Sequence, residues 1–388
     1  MYIANACYRI PMMRNIDRYR GCLIGGAVGD ALGYPIEFLR YDEIIKRYGK
    51  NGLSEYVLDN GIARISDDTQ MTLFTATGLL LGAERARIRG ISGSPSSYVR
   101  YSYKDWYRTQ TENFPLKEPR YSWLSEKEEM FSRRAPGNTC LSALASGKEG
   151  TIENPINDSK GCGGVMRVSP VALFFGENDN IHDLHLDEID HIAAEVAAIT
   201  HGHPLGYIPG AALVHIITLL LRNATLSYAV SDMLYSIRKQ FADPKHNAYA
   251  DEFSKIIMKA IVLAKEKKLE DIDAIRTLGG GWVGEEALAI ALYSVLRYPD
   301  DFEKALTVAT NHDGDSDSTG AIAGNILGTY LGLSGIPGKY LENLELKDLI
   351  IEIADDLFKG GERNTNYEED QDWLMKYWHC RRPGTEEW

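Results

Sequence analysis

GCLIGGAVGDALG, residues 21–33, places glycine at every fourth position: Gly21, Gly25, Gly29 and Gly33. Near the other end of the chain GAIAGNILGTYLG, residues 320–332, does the same with Gly320, Gly324, Gly328 and Gly332. Positions four apart share a face of an α-helix, and glycine costs a helix nearly ~1 kcal/mol per position relative to alanine. Eight glycines at that period therefore predict two helices whose backbones approach other elements, or each other, at short distance. A membrane GxxxG reading fails, since both segments are too short to span a bilayer and Asp30 sits inside one.

Working outward, helical periodicity dominates. Segments 18–32, 70–87, 189–200, 209–223, 228–240, 249–266, 285–297, 302–310, 318–331 and 346–358 carry it, and no series of alternating strands accompanies them. The expected fold class is all-α. No Pro/Ser-rich linker or charge block divides the chain, so one domain is expected over residues 16–388, with its two ends meeting in space. Residues 1–15 read as an N-terminal extension, with translation starting at Met1, Met12 or Met13. The polar stretches 90–97 and 147–160 read as loops.

Composition narrows the classes of function. The chain has 388 residues, 44% hydrophobic and 25% charged, as an ordinary globular protein does. A formal charge of -13 disfavours nucleic acid as a partner, because phosphate neutralisation needs a basic surface. The longest apolar run, 211–221, contains His215 and reads as a buried helix rather than a membrane span. Five cysteines, odd in number and without C-x-x-C spacing, argue against a zinc ribbon or disulfide framework and for a reducing cytoplasm.

Two charged clusters carry the chemistry. In ISDDTQMTLF (65–74), Ser66, Asp67 and Asp68 open a helix; in NHDGDSDSTG (311–320), Asp313, Asp315, Asp317 and Ser318 do the same. Each alone reads as a helix cap with carboxylates at the positive end of the dipole. Together Ser66, Asp67, Asp68, Asp315, Asp317 and Ser318 offer six oxygen ligands, a hard anionic set suited to Mg²⁺ or Mn²⁺, less specifically to Ca²⁺, and not to zinc. Four carboxylates exceed the need of one divalent ion and point to two metals about 3.5–4 Å apart. His201 and His203, in ITHGHP, have the wrong spacing for a helical zinc pair. The Gly-rich NDSKGCGGVMR (157–167) can turn free N–H groups toward anionic oxygens, and Gly137, Asn138 and Thr139 form a second candidate wall.

The chain resembles the ADP-ribosylglycohydrolases over nearly its whole length. The resemblance is carried by GCLIGGAVGDALGYPIEF, ISDDTQMTLF, RAPGNTCLSAL, KGCGGVMRVSP, ITHGHP, GGGWVGEEALAIALY and GDSDSTGAIAGNILG. It implies an orthogonal helical bundle with a binuclear Mg²⁺ or Mn²⁺ centre at the bottom of a cleft. It also implies cleavage of the glycosidic bond between ADP-ribose and an acceptor, on a protein or a small conjugate. By resemblance the metal ligands are the six residues above, and Glu37 is the acidic catalytic residue, acting with Asp67 and Asp68. Ser159, Lys160, Gly161 and Gly163 would hold the diphosphate and distal ribose, with His201 on the adenosine side. Trp282 would cover the adenine or the acceptor. Cys162 stands where several relatives carry asparagine, and no base is identifiable beside it. Arginine-linked ADP-ribose is the favoured substrate, with serine-linked ADP-ribose, O-acetyl-ADP-ribose or a toxin-related target as alternatives. A catalytically silent crystallin-like protein, a metal-dependent phosphatase and a nucleoside hydrolase complete the alternatives.

Overall fold

The computed structural model describes residues 14–117, 120–176, 184–360 and 370–378. Among them the fold is all-α, with isolated bridges such as Gly161 to Val283 in place of a sheet. The helices are α1 (Ile16–Gly33), α2 (Tyr41–Tyr48), α3 (Asp67–Arg89), α4 (Pro95–Thr111), α5 (Asn138–Ala145), α6 (Ser169–Phe175), α7 (Leu186–Ala198), α8 (Pro204–Leu221), α9 (Leu226–Gln240), α10 (Asn247–Lys265), α11 (Asp271–Arg276), α12 (Gly284–Arg297), α13 (Phe302–Thr310), α14 (Ser316–Leu331), α15 (Lys347–Gly360) and α16 (Gln371–Tyr377). Helix α1 begins at Ile16, with Asn15 as its N-cap; residues 1–13 of the expected N-terminal extension lie outside the described residues.

The two glycine stripes face each other. A methyl carbon on Gly25 would fall 2.3 Å from Gly324 O, one on Gly29 2.0 Å from Gly320 O, and one on Gly328 2.0 Å from Gly21 O. The α1 and α14 backbones therefore touch, and Asn325 Nδ2 adds a 2.8 Å bond to Cys22 O. This contact joins segments about 300 residues apart in sequence and sets the C-terminus of α1 beside the N-terminus of α14.

Helix α8 is 18 residues long and apolar enough to cross a membrane, but 89% of it is buried. It begins at Pro204, five residues earlier than its pattern suggests, because His203 Nδ1 accepts from Leu205 N at 3.0 Å and caps it. The expected loop at 90–97 is shorter than foreseen, since α4 starts at Pro95. Its Tyr/Trp-rich pattern concealed it: Tyr98, Tyr103 and Trp106 face the core.

Candidate active site

The end of α1 assembles the site. Asp30, fully buried in its last turns, accepts from Ser66 N at 2.9 Å and Thr69 N at 3.1 Å, satisfying free amides at the start of α3. Asp30 thus supports the cluster structurally, as its place in the glycine-striped helix suggests. On the other side, a methyl on Gly33 would strike Ser316 O at 2.2 Å. The first turns of α3 and α14 therefore converge on one point, with Asp67, Asp68, Asp315 and Asp317 all buried and lining the same cleft.

Glu37 joins the group. It follows the 3-10 turn Tyr34–Ile36, and Ile36, Ile44 and Leu53 form a small apolar cluster that seats this segment. One carboxylate oxygen each from Glu37, Asp315 and Asp317 lie within 4.8 Å of one another. Burial, then repulsion from Asp315, Asp67 and Asp30, pushes Glu37 up to about 8. Burial raises Asp67 to about 8 despite the 3.3 Å bond from Gly137 N, and raises Asp68 and Asp317 well above the carboxylate range, with neighbouring carboxylates adding to it.

Glu37 Oε2 and Asp68 Oδ2 are buried and unpartnered. Buried carboxylate oxygens without donors are costly, and here they accompany several like charges with no lysine or arginine among the cleft's lining residues. A divalent cation satisfies both conditions. An all-oxygen donor set of this kind fits Mg²⁺ or Mn²⁺.

The cleft has a volume of about 200 Å³. Gly137, Asn138, Gly161, Gly163, His201 and Trp282 line its sides along with Ala135, Thr139, Cys140, Cys162 and Met166. The first turn of α5 and the turn Cys162–Gly164 border it; of the amides there, Gly137 N donates to Asp67, Gly161 N to Ser159 Oγ and Cys162 N to Trp282 O. Trp282 is 44% exposed and stacks on Phe38 at 5.8 Å between ring centroids, 22° from parallel, so it is a rim residue and not a core plug.

Some anticipated residues stand elsewhere. Lys160 Nζ is paired with Glu285 on α12, and Ser159 Oγ is 3.2 Å from Thr139 Oγ1; neither lines the cleft. Ser66 is fully buried as the N-cap of α3, its Oγ accepting from Asp68 N at 3.2 Å, and also lies outside the lining. Asp313 is a strut: it accepts from Tyr41 N and Arg276 Nε, both at 2.8 Å. Ser318 and Asp315 do line the cleft.

The reading of Cys162 as lacking a base nearby needs correction. Its thiol donates to Asp315 Oδ2 at 2.8 Å. The triple glycine brings this about: Gly279 and Gly281 have φ of +127° and +77°, and a methyl on Gly314 would lie 1.8 Å from Gly280 O. The loop therefore docks backbone to backbone on the segment bearing Asp315, with Asp315 N donating to Gly280 O at 2.8 Å.

Fold and site together define a helical protein with a carboxylate-lined cleft walled by glycine-bearing turns. The chain belongs to the ADP-ribosylglycohydrolase family, whose model matches residues 11–366. It is 26% identical over 340 residues to ADP-ribosyl-[dinitrogen reductase] glycohydrolase of Rhodospirillum rubrum, covering 85% of this chain and 91% of that one. It is also 26% identical over 352 residues to ADP-ribosylarginine hydrolase Tri1 of Serratia proteamaculans strain 568, covering 90% and 81%. A solved structure described as an ADP-ribosylglycohydrolase-related protein complex superposes with a TM-score of 0.58 at 23% identity, covering 89% of this chain and 99% of that one, and shares the fold.

Proposed function

We propose that this protein is a metal-dependent hydrolase that removes single ADP-ribose units from an acceptor, with arginine side chains as the favoured acceptor. The observation that carries the reading is the convergence of Asp67, Asp68, Asp315 and Asp317 beside Glu37, with unpartnered buried oxygens on Glu37 and Asp68. The name of the Serratia relative, which specifies arginine, supports the choice of acceptor, and that of the Rhodospirillum relative, which specifies dinitrogen reductase, supports a protein as its carrier.

Asp67, Asp68, Asp315, Asp317 and Ser318 would hold two Mg²⁺ or Mn²⁺ ions, with Ser66, the N-cap of α3, as the sixth oxygen ligand once its hydroxyl turned from Asp68 N toward them. The ions would supply Lewis-acid chelation of the ribose hydroxyls. Glu37 lines the cleft with one unpartnered oxygen and would take the proton of the attacking water as the glycosidic bond opens. The amides of Asn138 and Gly163 would bind the diphosphate, with Gly137 and Gly161 in the wall beside them donating to Asp67 and to Ser159 Oγ, and with Lys160 paired instead with Glu285. Trp282 and Phe38 form an aromatic rim where the acceptor would leave.

Incubation of pure protein and Mg²⁺ with arginine-linked and serine-linked ADP-ribosyl peptides, followed by assay of free ADP-ribose, tests this. Release from the arginine peptide is the expected result. Release from the serine peptide alone would reassign the acceptor, and release from neither would remove the enzymatic reading.

A further inference from the structure

Arg167 is fully buried, and among the described residues no carboxylate pairs with it. Its guanidinium carbon lies 4.7 Å from the Tyr103 ring centroid, Nη1 is 3.2 Å from Cys140 Sγ, and Nε has no partner. A charge kept in the interior without a counter-ion is costly. What the guanidinium does there is donate, from Nη2, to Thr200 Oγ1 at 2.6 Å.

Thr200 passes that contact on. Its Oγ1 lies 2.8 Å from His201 Nδ1. A guanidinium can only donate, so Thr200 Oγ1 is the acceptor of that bond and its own proton must find another partner. His201 Nδ1 at 2.8 Å is within hydrogen-bond range, whereas Cys140 Sγ at 4.0 Å is a weak and distant acceptor. Nδ1 therefore accepts, and the proton of the neutral ring sits on Nε2. Burial, then the charge of Arg167, pushes His201 down to about 3, so the ring is neutral near neutral pH.

The Nε2 edge faces the cleft wall. A methyl on Gly161 would lie 3.2 Å from Nε2, and one on Gly163 3.3 Å from it. Glycine at both positions leaves that edge open to a ligand. We propose that Arg167 and Thr200 are positioning residues that lock His201 as an Nε2–H donor toward an oxygen of a bound nucleoside diphosphate sugar. The identity of the ligand rests on the function proposed above; the Arg167–Thr200–His201 relay does not.

Two readouts test it. In protein labelled with ¹⁵N-histidine, the ring signal of His201, assigned by its loss in His201→Asn, should show the Nε2–H tautomer without any ligand. Thr200→Ser should keep that pattern; Thr200→Val, with the same thermal midpoint within a few degrees, should lose it, as should Arg167→Met. ADP-ribose affinity at saturating Mg²⁺ should fall roughly 5- to 20-fold in Thr200→Val, the scale of one lost hydrogen bond, and recover in Thr200→Ser. KM should rise more than kcat falls. An Nδ1–H ring in the unmodified protein, or a Thr200→Val protein that binds ADP-ribose undiminished, overturns the proposal. If the unmodified protein binds no ADP-ribose, the function proposed above fails, while the tautomer pattern still decides the relay.

Discussion

Gly25 and Gly324 hold α1 and α14 in backbone contact: a methyl carbon on Gly324 would fall 1.9 Å from Gly25 O, and one on Gly25 2.3 Å from Gly324 O. Neither helix can retreat without moving the carboxylates at its end, because Asp30 anchors the start of α3 and Gly33 abuts Ser316.

Gly324→Ala should therefore be strongly destabilising. Overpacking against side chains costs about 1–3 kcal/mol; here the obstacle is backbone, so a loss of roughly 3 kcal/mol or more is expected. Gly338→Ala, where a methyl meets nothing within 4 Å, is the control and should stay within about 0.5 kcal/mol of the unmodified protein. Urea titration of both variants checks this. Equal midpoints would mean that the helices can part freely.

The buried carboxylates should make the metal-free protein weaker than its own site variants. Asp317→Asn removes one charge that burial and Asp68, Asp315, Glu37 and Asp30 all disfavour. In excess EDTA that variant should unfold at a higher temperature than the unmodified protein, by about 1 kcal/mol or more in stability. Adding Mg²⁺ or Mn²⁺ should reverse the order, since binding to the native state stabilises by mass action. Asp315→Ala should lose activity and metal affinity while keeping its helix content in EDTA. A melting temperature in the unmodified protein that ignores Mg²⁺ and Mn²⁺ would sink the cation site.

Asp105 gives a pH dependence remote from the cleft. Burial raises its carboxyl from the ordinary aspartate range to about 7, although Ser122 N at 2.8 Å and Tyr121 N both donate to it. Its folded value exceeds its unfolded one, so its contribution is fully present below about pH 4 and is lost as pH rises toward 7. Asp105→Asn keeps an acceptor for the two amides and removes the titration. The stability difference between variant and unmodified protein should then grow in the variant's favour, by a few kcal/mol, between pH 4 and 7. Parallel stability curves would show that the Asp105 carboxyl titrates as it does in the unfolded chain.

Much of this was legible from the chain. The glycine period marked two helices for close backbone contact, and the structure shows that they contact each other; the paired carboxylates at two helix starts marked the residues that line the cleft. The rest depends on partners far apart in sequence. Lys160 is captured by Glu285, and Cys162 meets Asp315 only because a glycine loop docks on residues 313–315. The Arg167–Thr200–His201 relay joins three residues with no local mark among them. Helix α4 escaped because clustered tyrosines and tryptophan carry β-propensity, and only packing against α3, where a methyl on Gly78 would lie 2.7 Å from Val99 Cα, decides for helix.

Glu37 separates chemistry from binding. It is buried, one of its oxygens lacks a partner, and its segment is seated by Ile36, Ile44 and Leu53 rather than by the carboxylate itself. Glu37→Gln should therefore fold normally while losing the ability to accept a proton. With saturating Mg²⁺, kcat on an arginine-linked ADP-ribosyl peptide should fall by about 10²–10⁴. ADP-ribose affinity measured by calorimetry should change by less than about 1 kcal/mol, because the other carboxylates and the amide walls are untouched. A collapse of affinity together with turnover would make Glu37 a clamp or a support of the cation site, and the base would then be sought at Asp67 or Asp68. If neither quantity moved, the position of Glu37 beside Asp315 and Asp317 would be incidental to the reaction.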